Sequence, residues 1–122
     1  QDIGKAINPV MCEGQVEGGT LQGVGYVHLE EVVMKDGRPA NDRMTNYIIP
    51  TSLDTPRMNT SLIEIPYPHG PFGAKGVGEL PMDGIGPAIA AAVEQATGAF
   101  MTRQPTTPEG LLELLSATDE AP

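Results

Sequence analysis

Apolar positions fall at helical spacing toward the end of the chain: Ile85, Ile89, Ala92, Val93 and Ala96 recur as one face, with Pro87 early and Gly98 just past the end as start and stop signals. A last short helix is signalled by Thr107 as N-cap, Pro108 at the first helical position and Leu111, Leu112, Leu114 and Leu115 as the apolar face. Residues 7–33 predict a first helix, opened by Asn8 as N-cap and Pro9 at the first position, where a missing amide hydrogen costs nothing. Between these helices the period changes. Glu30–Lys35 and Arg38–Tyr47 flank Asp36-Gly37, a dipeptide suited to the positive φ of a tight hairpin turn. Residues 50–60 are polar and turn-rich, and Ser61–Pro66 holds the Leu62, Ile63, Ile65 run of a short strand. From Pro68 to Pro87, six glycines and four prolines predict a long irregular loop, of the kind that is functional inside a compact domain. Residues 117–122 read as a flexible tail.

Composition explains why so much of the chain should be irregular. Its 122 residues include 15 glycines and 12 prolines, aromatics supply 4% and Trp is absent. Length suits one domain, but the apolar content is too thin for a self-sufficient core. The first helix alone holds Gly14, Gly18, Gly19, Gly23 and Gly25. Each costs on the order of 1 kcal/mol relative to Ala in a helix interior, so about 5 kcal/mol must be offset by close approach of something large or flat. Gly14, Gly18 and Gly25 fall near one face and Gly19 and Gly23 near a neighbouring one, while Gln15 and Gln22 share a face and could both reach one partner.

The net charge is −9, from 16 acidic and seven basic residues, which repels phosphate backbones and excludes nucleic acid as a partner. No apolar stretch approaches the roughly 20 residues of a membrane span. A single cysteine, Cys12, excludes an internal disulfide framework and any multi-cysteine cluster built by this chain alone, and fits a reducing cytoplasm. The start at Gln1, without Met, suggests a processed or excised piece.

The loop GPFGAKGVGELPMDG, Gly70–Gly84, is where the chemistry is expected. It is not a phosphate loop: Gly73 and Gly78 are followed by Glu79 where Lys is required, and a carboxylate there repels phosphate. Nor is it a dinucleotide fingerprint, since Pro81 stands where the third glycine belongs. What remains is one carboxylate, Glu79, aimed from a tight glycine turn. It reads either as a solvated surface group or as a general base. Lys75 reads as a loop-ordering or surface cation. His28 and His69 lack a partner at ligand spacing and make a poor metal site, so no direct metal ligand is expected. Cys12 reads as a small buried hydrophobe, and the six methionines share no spacing.

Four ordered stretches carry a resemblance: GKAINPVMCEGQVEGGTLQGVGYVHLEE, MTNYIIPTSLDTP, GPFGAKGVGELPMDGIGPAIAAAVEQATG and RQPTTPEGLLELL. Together they resemble, from about Gly4 to Leu115, the C-terminal end of the molybdenum-binding large subunit of the xanthine dehydrogenase and aldehyde oxidase family. GQVEGG with QGVG, and KGVGE with the following proline, are the most specific pieces. The resemblance implies a molybdenum hydroxylase, in which a molybdenum bound to a pyranopterin carries oxo, sulfido and labile hydroxyl groups. The glutamate matching Glu79 takes the hydroxyl proton, oxygen attacks an electron-poor carbon, and hydride passes to the sulfido group. The glutamine matching Gln15 holds the cofactor; Gln22, Gly76, Val77 and Gly78 are the further expected cofactor contacts. Electrons would leave through iron-sulfur clusters toward FAD in partner domains or subunits. Residues 1–116 are then an incomplete α+β segment of a molybdopterin-binding domain, completed by the remainder of that subunit and acting on a small molecule. The xanthine type is favoured, with aldehyde oxidoreductase and carbon monoxide dehydrogenase types as alternatives. A non-catalytic acidic interaction module is the reading from another class.

Overall fold

A computed structural model describes residues 1–119. It is α+β and mostly helical. The element order is α1 (Pro9–His28), β1 (Met34–Lys35), β2 (Arg38–Pro39), a 3-10 turn (Pro71–Gly73), α2 (Leu80–Asp83), α3 (Ile85–Thr97) and α4 (Pro108–Asp119). The helix signals act as expected at the caps. Asn8 Oδ1 accepts the Met11 amide at 3.2 Å, Thr107 Oγ1 accepts the Gly110 amide at 3.2 Å, and Gly98 closes α3 at φ 74° with its N–H on the Glu94 carbonyl.

Helix α1 stops at His28, short of residue 33, because the Gly25 carbonyl accepts from both Leu29 and Glu30, turning the chain out. Asp36 and Gly37 take the positive φ of the hairpin turn, at 50° and 75°. The hairpin is nevertheless two residues a side, far shorter than Glu30–Lys35 and Arg38–Tyr47. The Ala40 amide still donates to the Val33 carbonyl at 2.7 Å, but the Val33 amide turns to Asn41 Oδ1 and Asn41 Nδ2 donates to the Glu31 carbonyl, so side-chain bonds replace the ladder beyond that point. Arg43, Asn46 and Tyr47 then form a turn of their own.

The segment Pro68–Pro87 is also more ordered than expected. It contains the 3-10 turn and α2, and α3 already begins at Ile85. Pro81 and Pro87 both stand in first turns, where no intrahelical acceptor is lost: Pro87 serves as the expected start signal of α3, and Pro81, expected inside an irregular loop, opens α2. Helix α4 runs through residues 117–119; residues 120–122 of the expected tail lie outside the described residues.

Helix α1 is the spine. Along it pack α2 and α3, with Pro81 against Gly19 and Ile85 against Gly23. Residues 99–106 cross its C-terminal end, where the Thr106 amide donates to the Val27 carbonyl at 2.5 Å. There Val27, Ala99, Met101 and Thr106 are buried. The opposite end is a small strand cluster. Residues 1–5 run between the expected Ser61–Pro66 strand, joined by a parallel bridge Asp2↔Ile63, and residues 73–75, joined by an antiparallel bridge Gly4↔Ala74. Each pairing is a single bridge rather than a ladder, and Ile3 is buried between them.

The fold leaves much apolar surface uncovered. A complete 12.8 kDa domain exposes about 6,300 Å², whereas this chain exposes 8907 Å². Val10, Met11, Ile48, Leu53, Ile65, Phe72 and Phe100 are all exposed, and no residue of α3 is buried.

Candidate functional site

The five helix glycines separate into two classes. A Cβ on Gly23 would stand 2.5 Å from Ile85 Cβ, one on Gly19 3.0 Å from Pro81 Cβ, and one on Gly25 2.8 Å from Pro50 Cδ. These three admit the chain's own segments, so the close approach expected along the helix is made here by Pro81, Ile85 and Pro50. Gly14 and Gly18 meet nothing within 4 Å. They lie open on the same part of α1 as Gln15, whose side chain is exposed; Gln22, two turns further on, is exposed as well.

The α1–α2 contact carries the glycine loop toward that part of α1. Gly19 touches Pro81 and Met82; Gln15 stands one helical turn before Gly19 and Glu79 two residues before Pro81. Glu79 takes the N-cap position of α2, where its carbonyl accepts the Met82 amide at 3.0 Å, but its side chain makes no capping bond. The carboxylate is exposed and has no hydrogen-bond or ion-pair partner among the described residues. Just before it, Gly76, Val77 and Gly78 carry backbone N–H groups with no acceptor among the described residues, and added Cβ atoms on Gly76 and Gly78 would meet nothing within 4 Å. Three successive free donors, two side-chain amides and four open glycines suit a flat ligand rich in acceptor atoms. A pyranopterin has that chemistry.

Lys75 anchors the loop at its other end. Its Nζ donates to Asp2 Oδ2, while Asp2 Oδ1 accepts the Gly4 amide at 3.0 Å and the Ile65 amide at 3.4 Å. The Lys75 hydrogen bond, then the Gly4 amide, hold the Asp2 carboxyl below the usual carboxylate range. Asp2 is thus a joint between three segments that the sequence reading did not single out. Nothing local marks it, because its partners lie 63 and 73 residues away. Beside it, Glu64 accepts the Ala6 amide and pairs with Lys5, both at 3.0 Å, and its carboxyl is likewise lowered, chiefly by the Ala6 amide.

The remaining candidates have structural roles. His28 Nδ1 lies 3.3 Å from the Thr106 carbonyl, docking the crossing segment, and His69 meets Tyr67 edge-on with ring centroids 5.6 Å apart. Cys12 is half-buried. Among the described residues, no group of three or more His, Cys, Asp or Glu could hold a metal ion, and no helix is long and apolar enough to cross a membrane.

Comparison with known proteins identifies the family. Residues 1–56 match the family model of the molybdopterin cofactor-binding domain. The xanthine dehydrogenase molybdenum-binding subunit of Escherichia coli O157:H7 is 37% identical over 92% of this chain and 15% of its own length. The 6-hydroxypseudooxynicotine dehydrogenase complex subunit gamma of Paenarthrobacter nicotinovorans is 33% identical over 98% of this chain and 16% of its own. The crystal structure of quinoline 2-oxidoreductase from Pseudomonas putida 86 superposes with a TM-score of 0.85 at 36% identity, covering 99% of this chain and 16% of that one. The chain therefore spans about 15% of the curated relatives it matches.

Proposed function

We propose that this chain, which belongs to the molybdopterin-binding large subunits of the xanthine dehydrogenase and aldehyde oxidase family, is the C-terminal part of such a subunit and carries the general base of a molybdenum hydroxylase. The observation that carries the reading is the Glu79 carboxylate, uncommitted to any partner in the described structure, at the end of a loop whose three preceding amides are free donors. When bound, a molybdenum-pyranopterin supplies an activated oxygen and accepts two electrons from the substrate. Glu79 would take up a proton beside that group, which needs only hydrogen-bond reach and no histidine partner. Gln15 and Gln22 offer amides to the cofactor, the N–H groups of Gly76, Val77 and Gly78 donate to its acceptor atoms, and Gly14 and Gly18 leave room for it. Lys75, held by Asp2, fixes where the loop starts.

The substrate is proposed to be an electron-poor carbon of a purine or other N-heteroaromatic, the xanthine type being favoured. The homologue named a xanthine dehydrogenase subunit and the solved structure named a quinoline 2-oxidoreductase both support a ring carbon next to nitrogen. Electrons would pass to iron-sulfur and FAD groups in partner domains or subunits, and the cytoplasm is the expected compartment. Elemental analysis of the native polypeptide that contains this sequence tests the proposal. Stoichiometric molybdenum is expected; a well-folded protein without it supports the non-catalytic acidic module instead.

A further inference from the structure

The Ser61–Ile65 segment has one satisfied edge and one bare one. On the side facing residues 1–5, the Ser61 carbonyl accepts the Gln1 amino group at 3.2 Å, Ile63 donates to Gln1 at 2.7 Å and accepts from Ile3 at 3.0 Å, and the Ile65 amide reaches Asp2. Backbone groups alternate sides along a strand, so the N–H and C=O groups of Leu62 and Glu64 point the other way. They have no partner among the described residues. Ile63 and Ile65 share one face of the strand and are 52% and 60% exposed. A bare edge flanked by exposed isoleucines is a template for another strand; its one charge, Glu64, is engaged by the Ala6 amide and Lys5, and no proline interrupts it before Pro66.

We propose that this edge receives a β-strand from the part of the same subunit outside this chain, which would make residues 61–65 an inner strand of a larger sheet. The inference rests on the proposed function in one respect, that the chain is a segment of a longer subunit. Two features favour that occupant over a second copy. The chain spans about 15% of the relatives it matches, so about 85% of such a subunit remains to cover it. The chain also exposes roughly 2,600 Å² more than a complete domain of its mass, and its exposed apolar residues include members of α1, the hairpin and residues 44–67 as well as Phe72 and Phe100, rather than lying on one element. The same strand cluster anchors Lys75, so a docked strand would also stiffen the start of the Glu79 loop.

Hydrogen exchange on the native subunit tests this, with intact mass measured on the same sample. Of the four amides from Leu62 to Ile65, those of Ile63 and Ile65 are bonded within this chain. With a docked strand, Leu62 and Glu64 exchange at least about 100-fold more slowly than in an unstructured peptide of the same sequence. A longer subunit in which these two exchange at the unstructured rate overturns the docked strand and leaves the proposed function standing. Protection that vanishes on dilution to monomer assigns the edge to a second copy and also overturns it. A mass of 12.8 kDa removes the segment premise and overturns both.

Discussion

The same substitution, Gly to Ala, should have opposite effects at two positions of α1. At Gly23 a Cβ would lie 2.5 Å from Ile85 Cβ, 2.8 Å from Cγ1 and 2.9 Å from Cγ2. Ile85 Cβ is fixed to the α3 backbone and cannot rotate away, so α1 and α3 must part by about 1 Å to reach ordinary contact. Overpacking of this kind costs about 1–3 kcal/mol, against which Ala returns roughly 1 kcal/mol of helix propensity. Gly23→Ala is therefore expected to destabilise α1 by up to about 2 kcal/mol. At Gly14 nothing in the chain lies within 4 Å, so in the cofactor-free protein only the propensity gain operates, and Gly14→Ala should stabilise the helix by about 1 kcal/mol. Native-state hydrogen exchange of the α1 amides reads both, each 1.4 kcal/mol being about a tenfold change in opening. Combining Gly23→Ala with Ile85→Gly removes the clash, so the pair should be non-additive by about 1–3 kcal/mol in the favourable direction. Protection above wild type in Gly23→Ala alone, or simple additivity of the pair, would show that the close α1–α3 packing is wrong.

Acid should loosen the start of the Glu79 loop. Asp2 and Glu64 have lowered carboxyl values in the folded state, so their stabilising bonds are fully present above the unfolded carboxylate values of about 4 and are lost as pH falls through the folded ones. Limited proteolysis near residues 73–79 should rise below about pH 4, and Asp2→Asn should bring that susceptibility to neutral pH; a pH-independent cleavage rate counts against the joint. Gln15→Ala should lower molybdenum content in the native subunit while leaving α1 helical, since its side chain is exposed and Ala favours the helix; unchanged molybdenum removes Gln15 from the cofactor face.

Local chemistry was readable wherever one residue determines it. Asn8, Thr107, Gly98 and the Asp36-Gly37 turn behave as their side chains or positive φ require. The extent of β structure was not, because the Asn41 side chain takes the Val33 amide and the Glu31 carbonyl and so ends a ladder that the sequence pattern alone would extend. Pro81 misled in the opposite direction: a proline breaks a helix interior but opens a first turn, and only the packing of Pro81 on Gly19 selects the second outcome. The glycines could be counted in the sequence but not sorted. Which of them face the chain's own helices and which lie open depends on contacts some 60 residues apart. Glu79 stood out as a lone carboxylate after a phosphate-like loop, whereas Asp2, which holds that loop through Lys75, needed the fold to be seen.

The central claim concerns Glu79, and the rate of substrate-driven molybdenum reduction in a Glu79→Gln variant of the native enzyme tests it in a single turnover. The side chain is exposed and unbonded, so the variant should fold and retain wild-type molybdenum content. With the base removed, reduction should slow by about 10²–10⁴-fold. A fully loaded variant that reduces at the wild-type rate would contradict the assignment of this loop as the catalytic one.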